Sequence, residues 1–162
     1  DRDLSLSGAS VSSNADVGGE LNIEGARIRF TGRVAGDAEI TGATMHLDGL
    51  FGGRLEVVGA RATIDGDVSG ELDAMVAHLN LRGRFAAPVH VVGTGNRGRN
   101  GRVVLSGELE QGGFICASRV DFRRSARTGG PLTVIAEDRP AWDGAMSFEP
   151  LRGRDCDRIQ RG

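Results

Sequence analysis

The chain has 162 residues, a formal net charge of -2 and 26 glycines, with six Phe, one Trp, no Tyr and no Lys. That is the length of one domain, its near-balanced charge excludes a general attraction to nucleic acid, and no stretch approaches the roughly 20 apolar residues that span a bilayer. Apart from three histidines every basic side chain is Arg, which reads as a compositional bias of the source rather than a functional choice.

A fixed period governs the chain from its start. Gly8-Ala9, Gly25-Ala26, Gly42-Ala43, Gly59-Ala60 and Val76-Ala77 follow one another at intervals of 17 residues. A period in this range marks a stacked-repeat architecture. With Gly25 as position 1, position 4 reads Val11, Ile28, Met45, Ala62 and Leu79, and position 6 reads Ser13, Phe30, Leu47, Ile64 and Leu81. Position 10 is Val17, Val34, Phe51, Val68 and Phe85; positions 14 and 16 carry Leu21 and Ile23, then Ala38 and Ile40, Leu55 and Val57, Leu72 and Ala74, Val89 and Val91. Apolar residues thus alternate with polar ones at period 2, the strand signal, and no segment competes as a helix. Strands this short bury a core only when equivalent strands of successive copies stack, about 4.8 Å apart.

Small residues punctuate each copy. Position 8 is Ala15, Gly32, Gly49, Gly66 and Gly83, and position 12 is Gly19, Gly36, Gly53, Gly70 and Ala87, which places sharp bends there. Position 2 is Ala throughout and is expected as a small inward site at a third corner. Residues 93–99 (GTGNRGR) interrupt the repeat; Val103, Leu105, Leu109 and Ile115 refill its columns, Val120 and Phe122 follow, and Leu132 and Val134 close it after a longer corner at 123–128. The expected fold is therefore all-β: a three-sided parallel β-helix, or β-solenoid, with about 17 residues per coil and seven to eight coils over residues 1–135. Residues 136–162, with Pro140, Trp142, Phe148, Pro150 and Leu151, are expected to form an irregular cap or tail.

Several groups of residues invite a chemical reading. The GxGxxG match at 93–98 is followed by Val103-Val104-Leu105, a strand and not the helix that a pyrophosphate site requires, so it reads as a surface loop. His46, His78 and His90 fall at positions 5, 3 and 15 and are expected to point outward from different faces, away from any shared metal or catalytic centre. Glu39, Glu56 and Asp73 stack at position 15, and Asp48, Asp65 and Asp67 gather at positions 7 and 9. Carboxylates about 5 Å apart raise the reading of a cation or sugar-cleaving site. No aromatic platform flanks either group, and Arg54 beside Glu56 and Arg84 beside Asp67 favour solvated surface charge. No catalytic residue, cofactor, metal or small-molecule substrate is expected.

Charge sorts by face. Positions 13–17 are acidic, and positions 3–7 carry Arg27, Arg29, Arg61 and Arg82, with Asp48 and Asp65 as exceptions. Faces of opposite sign suit self-association or docking of a protein partner. A second basic group, Arg97, Arg99, Arg102, Arg119, Arg123, Arg124 and Arg127, is a candidate contact for an anionic membrane or glycan surface. Cys116 and Cys156 are an even pair, expected to form a disulfide that holds the tail and marks an oxidising compartment.

The phrases IRFTGRVAGD at 28–37, MHLDGLFGGR at 45–54 and ATIDGDVSGE at 62–71 resemble bactofilins and related polymer-forming bacterial β-helix proteins, a similarity that covers residues 4–135. The resemblance implies a right-handed three-sided β-helix that assembles without nucleotide, often near the membrane, as a scaffold of the cell envelope. The chain departs from the family in its insertion, in its cysteines, which point to the periplasm rather than a membrane-associated place in the cytoplasm, and in a C-terminal segment able to cover the last coil. A covered end stops head-to-tail growth there, so limited assembly or a monomeric adaptor is expected over filaments. The runner-up is a carbohydrate-active β-helix acting on an acidic polysaccharide. A third reading is an accessory subunit of a membrane complex, contacted through the Arg-rich end.

Overall fold

The computed structural model describes residues 3–14, 16–93, 101–140, 146–152 and 156. Long strands β1 (Leu4–Ser13), β3 (Leu21–Phe30), β5 (Ala38–Leu47), β7 (Leu55–Ile64) and β9 (Leu72–Leu81) alternate with short strands β2 (Asp16–Val17), β4 (Arg33–Val34), β6 (Leu50–Phe51), β8 (Asp67–Val68) and β10 (Arg84–Phe85). The alternation continues through β11 (Val89–Gly93), β12 (Arg102–Leu105), β13 (Glu108–Leu109), β14 (Gly113–Cys116), β15 (Arg119–Phe122), β16 (Arg127–Thr128) and β17 (Leu132–Ala136), and ends with β18 (Ser147–Pro150). The described strands form two sheets, one of 11 strands built from the long segments and one of 7 built from the short ones, and every pairing is parallel. The chain is a β-solenoid of about eight turns. Its register is the one the repeat predicts: Leu21 faces Ala38, Ala38 faces Leu55, and Leu55 faces Leu72, each 17 residues on.

Each long strand turns a corner without losing its neighbours. In β3 the buried residues are Leu21 and Ile23, then Ile28 and Phe30, so the two-residue alternation changes phase between them. Four successive residues, Glu24 to Arg27, stay out of the core, and the ladder skips Ala26 and Ala43 before resuming at Arg27 and Thr44. A bend of this kind puts the middle of the strand outside. Ala9, Ala26, Ala43 and Ala60 are accordingly exposed, not inward as the repeat suggested. Their small size serves the outside of a tight corner, where a larger side chain would crowd its copies above and below.

The glycines of position 8 show why the stacking needs them. A methyl group placed on Gly49, Gly66, Gly83 or Gly107 would overlap the backbone carbonyl of the glycine one rung below. Those carbonyls are in use: the amides of Leu50, Asp67, Arg84 and Glu108 donate to Gly32, Gly49, Gly66 and Gly83 at 3.0–3.1 Å. Inside, the columns form one continuous core, with Phe30, Phe51 and Phe85 among its largest fully buried side chains. Phe30 and Phe51 meet across adjacent rungs with ring centroids 5.8 Å apart.

Two irregularities leave this core in register. His78 faces Arg102, which is seven residues further on than the period requires. The surplus falls at 94–100, one residue later than expected, because Gly93 still completes β11 against Val76; the GxGxxG match at 93–98 lies almost wholly outside the described residues. The chain re-enters at Gly101, whose φ of 76° and close seat on the Ala77 carbonyl both demand glycine. At the longer corner, Glu108 faces Arg127 with two residues more than the period, and the Ser125 hydroxyl donates to the Ser106 carbonyl at 2.6 Å.

Among its described residues the C-terminal segment contributes one further strand. β18 adds a further strand to the large sheet, with Phe148 facing Val134 at the end of the inward column Val91, Ile115, Val134. Phe148 packs half-buried on the core, and the Arg139 guanidinium lies 6.0 Å over its ring. Trp142, expected in the same role, lies outside the described residues.

Val68 is 1% exposed in the central coil. Val68→Asp buries an unpaired charge at a cost of several kcal/mol, comparable to the whole stability of a domain, and is expected to abolish the cooperative transition seen by circular dichroism. Gly66→Ala forces the rungs apart at one corner and is expected to cost about 1–3 kcal/mol, read as a lowered Tm.

Candidate interaction surfaces

The outward positions form rows that run along the column, one side chain per rung. Glu39, Glu56 and Asp73 face one another on consecutive rungs, so the structure brings this predicted group together. The row is tied down by its neighbours. Arg54 donates to the Asp73 carboxylate at 2.7 Å, one rung beyond the Glu56 it was expected to offset. That hydrogen bond, then the charges of Asp73, Glu56 and Glu71, hold the Arg54 guanidinium in its cationic form above its ordinary range. The backbone amide of Arg54 also donates to Asp37 Oδ1 at 2.9 Å, and that of Glu20 to Asp3 Oδ1 at 2.7 Å, so position-13 carboxylates terminate backbone donors at a corner. Part of the acidic face is therefore structural. Exposed ion pairs contribute on the order of 0–1 kcal/mol each, so the row contributes sign and geometry more than stability.

The acidic and basic faces lie on the two arms of the same long strands. Arg27 and Arg29 follow the bend in β3, and Arg61 follows it in β7, while Glu39 and Glu56 precede it in β5 and β7. The late basic group is divided. Arg102 and Arg119 face each other in the β12–β15 ladder, but Asp121 sits between their guanidinium groups, 2.7 Å from Arg102 and 3.5 Å from Arg119. Arg123 and Arg124 occupy the exposed longer corner, and Arg127 belongs to the other sheet, next to Glu108. Arg97 and Arg99 lie outside the described residues. Arg84, expected to offset Asp67, is its register neighbour but bridges Glu108 at 3.3 Å.

The position-17 row changes character along the column. Glu24 and Thr41 are exposed, Val58 is 37% exposed, and from there the row becomes Met75, Val92, Cys116 and Ile135. Val92, Cys116 and Ile135 are buried although they face away from the main core. They form a second apolar cluster with Leu151 and Cys156. The chain has left the end of the column and returned along its flank, and the Cys116–Cys156 disulfide fastens it there, with Cα atoms 5.7 Å apart. The expected pairing is present, and it joins the tail to the side of the coil as well as closing its end.

The histidines depart from the expectation in one respect. His78 is exposed and His46 partly so, but His90 is half-buried, its ring edge-on to Phe114 at 5.1 Å, and its Nε2 is shielded from solvent without a hydrogen-bond partner. Position 15 faces outward, but Phe114 one rung on covers it. Among the described residues no group of three or more His, Cys, Asp or Glu is placed to hold a metal ion, and no helix is long and apolar enough to cross a membrane.

For two cysteines separated by 40 residues, chain entropy gives a disulfide contribution of about 4 kcal/mol. Reductant, or Cys116→Ser with Cys156→Ser, is expected to lower the Tm and expose the tail to protease before the coils unfold; an unchanged Tm and an uncut tail would remove the clamp. Comparison with protein-family models, with curated proteins and with solved structures finds no match.

Proposed function

We propose that this chain is a non-catalytic structural module of the bacterial cell envelope that joins an assembly through the charged faces of its column. The separation of charge on the long strands carries this reading. Glu39, Glu56 and Asp73 stand in one row before the bend, and Arg27, Arg29 and Arg61 stand after it. Faces of opposite sign on one rigid column suit self-association or docking of a protein partner.

Two further observations support the setting. A disulfide persists where thiols are oxidised, which favours the periplasm. The repeat phrases resemble the bactofilins, whose members are envelope scaffolds. The mechanism is rigid spacing: side chains repeat at about 4.8 Å along a column whose interior is closed to solvent.

The test is solution mass. The wild-type chain is expected to self-associate, and Arg27→Glu with Arg29→Glu, both exposed and leaving the folded coils intact by circular dichroism, is expected to weaken that association tenfold or more. Association untouched by the double variant would rule out the contact through the long strands, and a catalysed release of product from an acidic polysaccharide would replace the structural reading altogether.

A further inference from the structure

The short strands present one outward side chain per rung, and in sequence order these are Asp16, Arg33, Leu50, Asp67, Arg84, Glu108 and Arg127. Their inward neighbours Val17, Val34, Phe51, Val68, Phe85 and Leu109 are buried, and Thr128 beside Arg127 is half-buried. Leu50 is 41% exposed, the more exposed of the two large hydrophobics that stand out of the described surface. It stands third in the row and at the centre of its first five members, whose sign order is antisymmetric about it: negative, positive, leucine, negative, positive. Beside the row, position 11 carries only Gly18, Ala35, Gly52, Ser69 and Ala86, and the first four of these line an open groove along the row that a partner's side chains can enter.

We propose that this face is a docking surface for a second copy of the chain, packed antiparallel about a two-fold axis through Leu50. The axis lies in the interface along the strand direction. It reverses the column and brings the rungs together in opposite order. Asp16 then meets Arg84 of the second copy, Arg33 meets Asp67, and Leu50 meets Leu50, each charged contact occurring twice, as an isologous interface requires.

The charge order selects this arrangement over its neighbours. Parallel packing about an axis along the column sets every charge against its own copy. Sliding the antiparallel pair by one rung sets Asp16 against Asp67, or Arg33 against Arg84. A register centred between Arg84 and Glu108 also matches sign, but it leaves Leu50 outside and uses two side chains that already bridge each other at 3.3 Å. The chosen register also draws on Arg84, but its other charged members, Asp16, Arg33 and Asp67, form no ion pair among the described residues. One contact opposes the arrangement: Asp48, at the corner beside Leu50, approaches its own copy.

The strip is short, about 19 Å from its first rung to its fifth, and falls well below the roughly 800 Å² per partner of a standard interface. The pair is therefore weak and sensitive to salt. It extends the assembly reading from the faces of the long strands to that of the short strands, and the two contacts fail independently.

The experiment is sedimentation equilibrium at low and moderate salt, carried out on the full chain with Arg27→Glu and Arg29→Glu removing the contact through the long strands. A dimer at high protein concentration is expected, dissociating as salt rises. Leu50→Arg, Arg33→Asp and Asp67→Arg each weaken it tenfold or more, and Arg33→Asp combined with Asp67→Arg restores it, while Asp48→Asn tightens it; unchanged melting curves show that all variants fold. A monomer at every concentration overturns the proposal, as does a dimer that Leu50→Arg leaves intact or that the double swap fails to restore. Wild-type association that vanishes with the Arg27 and Arg29 changes alone overturns this short-strand contact and leaves the long-strand contact standing.

Discussion

Each rung of this column gives its backbone hydrogen bonds to the rung below, and the rest of the structure depends on that vertical bonding staying in register around every corner. Strands stack at their natural spacing without help. Corners do not, because a Cβ pointing along the column strikes the backbone beneath it, as it would at Gly49, Gly66, Gly83 and Gly107. The glycine content of the chain is thus a geometric requirement of stacked bends. The same constraint accounts for the scarcity of aromatics: the interior is as wide as two facing side chains, and its three fully buried phenylalanines lie on separate rungs.

Once the backbone is fixed, the outside is determined as a set of straight rows. Any property placed at one position of the repeat is multiplied along the column, which is why carboxylates come to stand over carboxylates and arginines over arginines. Such a surface offers much regularity against which a matching lattice of charges can align. This is the physical reason for seeking function in contacts between surfaces.

Nearly all of the coil was legible in the sequence, because burial and alternation repeat in phase and five copies agree with one another. The alanines of position 2 were misplaced for an instructive reason: small size marks the inside of a crowded core and the outside of a tight bend alike, and only the phase change between Ile23 and Ile28 tells them apart. The Arg54–Asp73 bridge and the sign order of the short-strand row are not legible in the linear pattern, because both run across the chain from rung to rung while periodicity runs along it. The return of the tail along the flank had one sequence signal, the drift of position 17 from Glu24 to Val92 and Ile135. A row that turns apolar on an outward face announces a cover before the cover is seen.

The corner between β11 and β12 has a wider meaning. Seven surplus residues enter there, and Leu79, Val103 and Val120 still stack in order. The bend at positions 1 and 2 lies outside the core and its ladder already lapses for one residue in every intact coil, so the chain departs and returns at a place where nothing inside must be retuned. A column built this way can acquire a decoration at any of its bends while the trunk stays the same, and foreign peptides grafted at Ala26, Ala43 or Ala60 would be carried at heights set by the rung they leave.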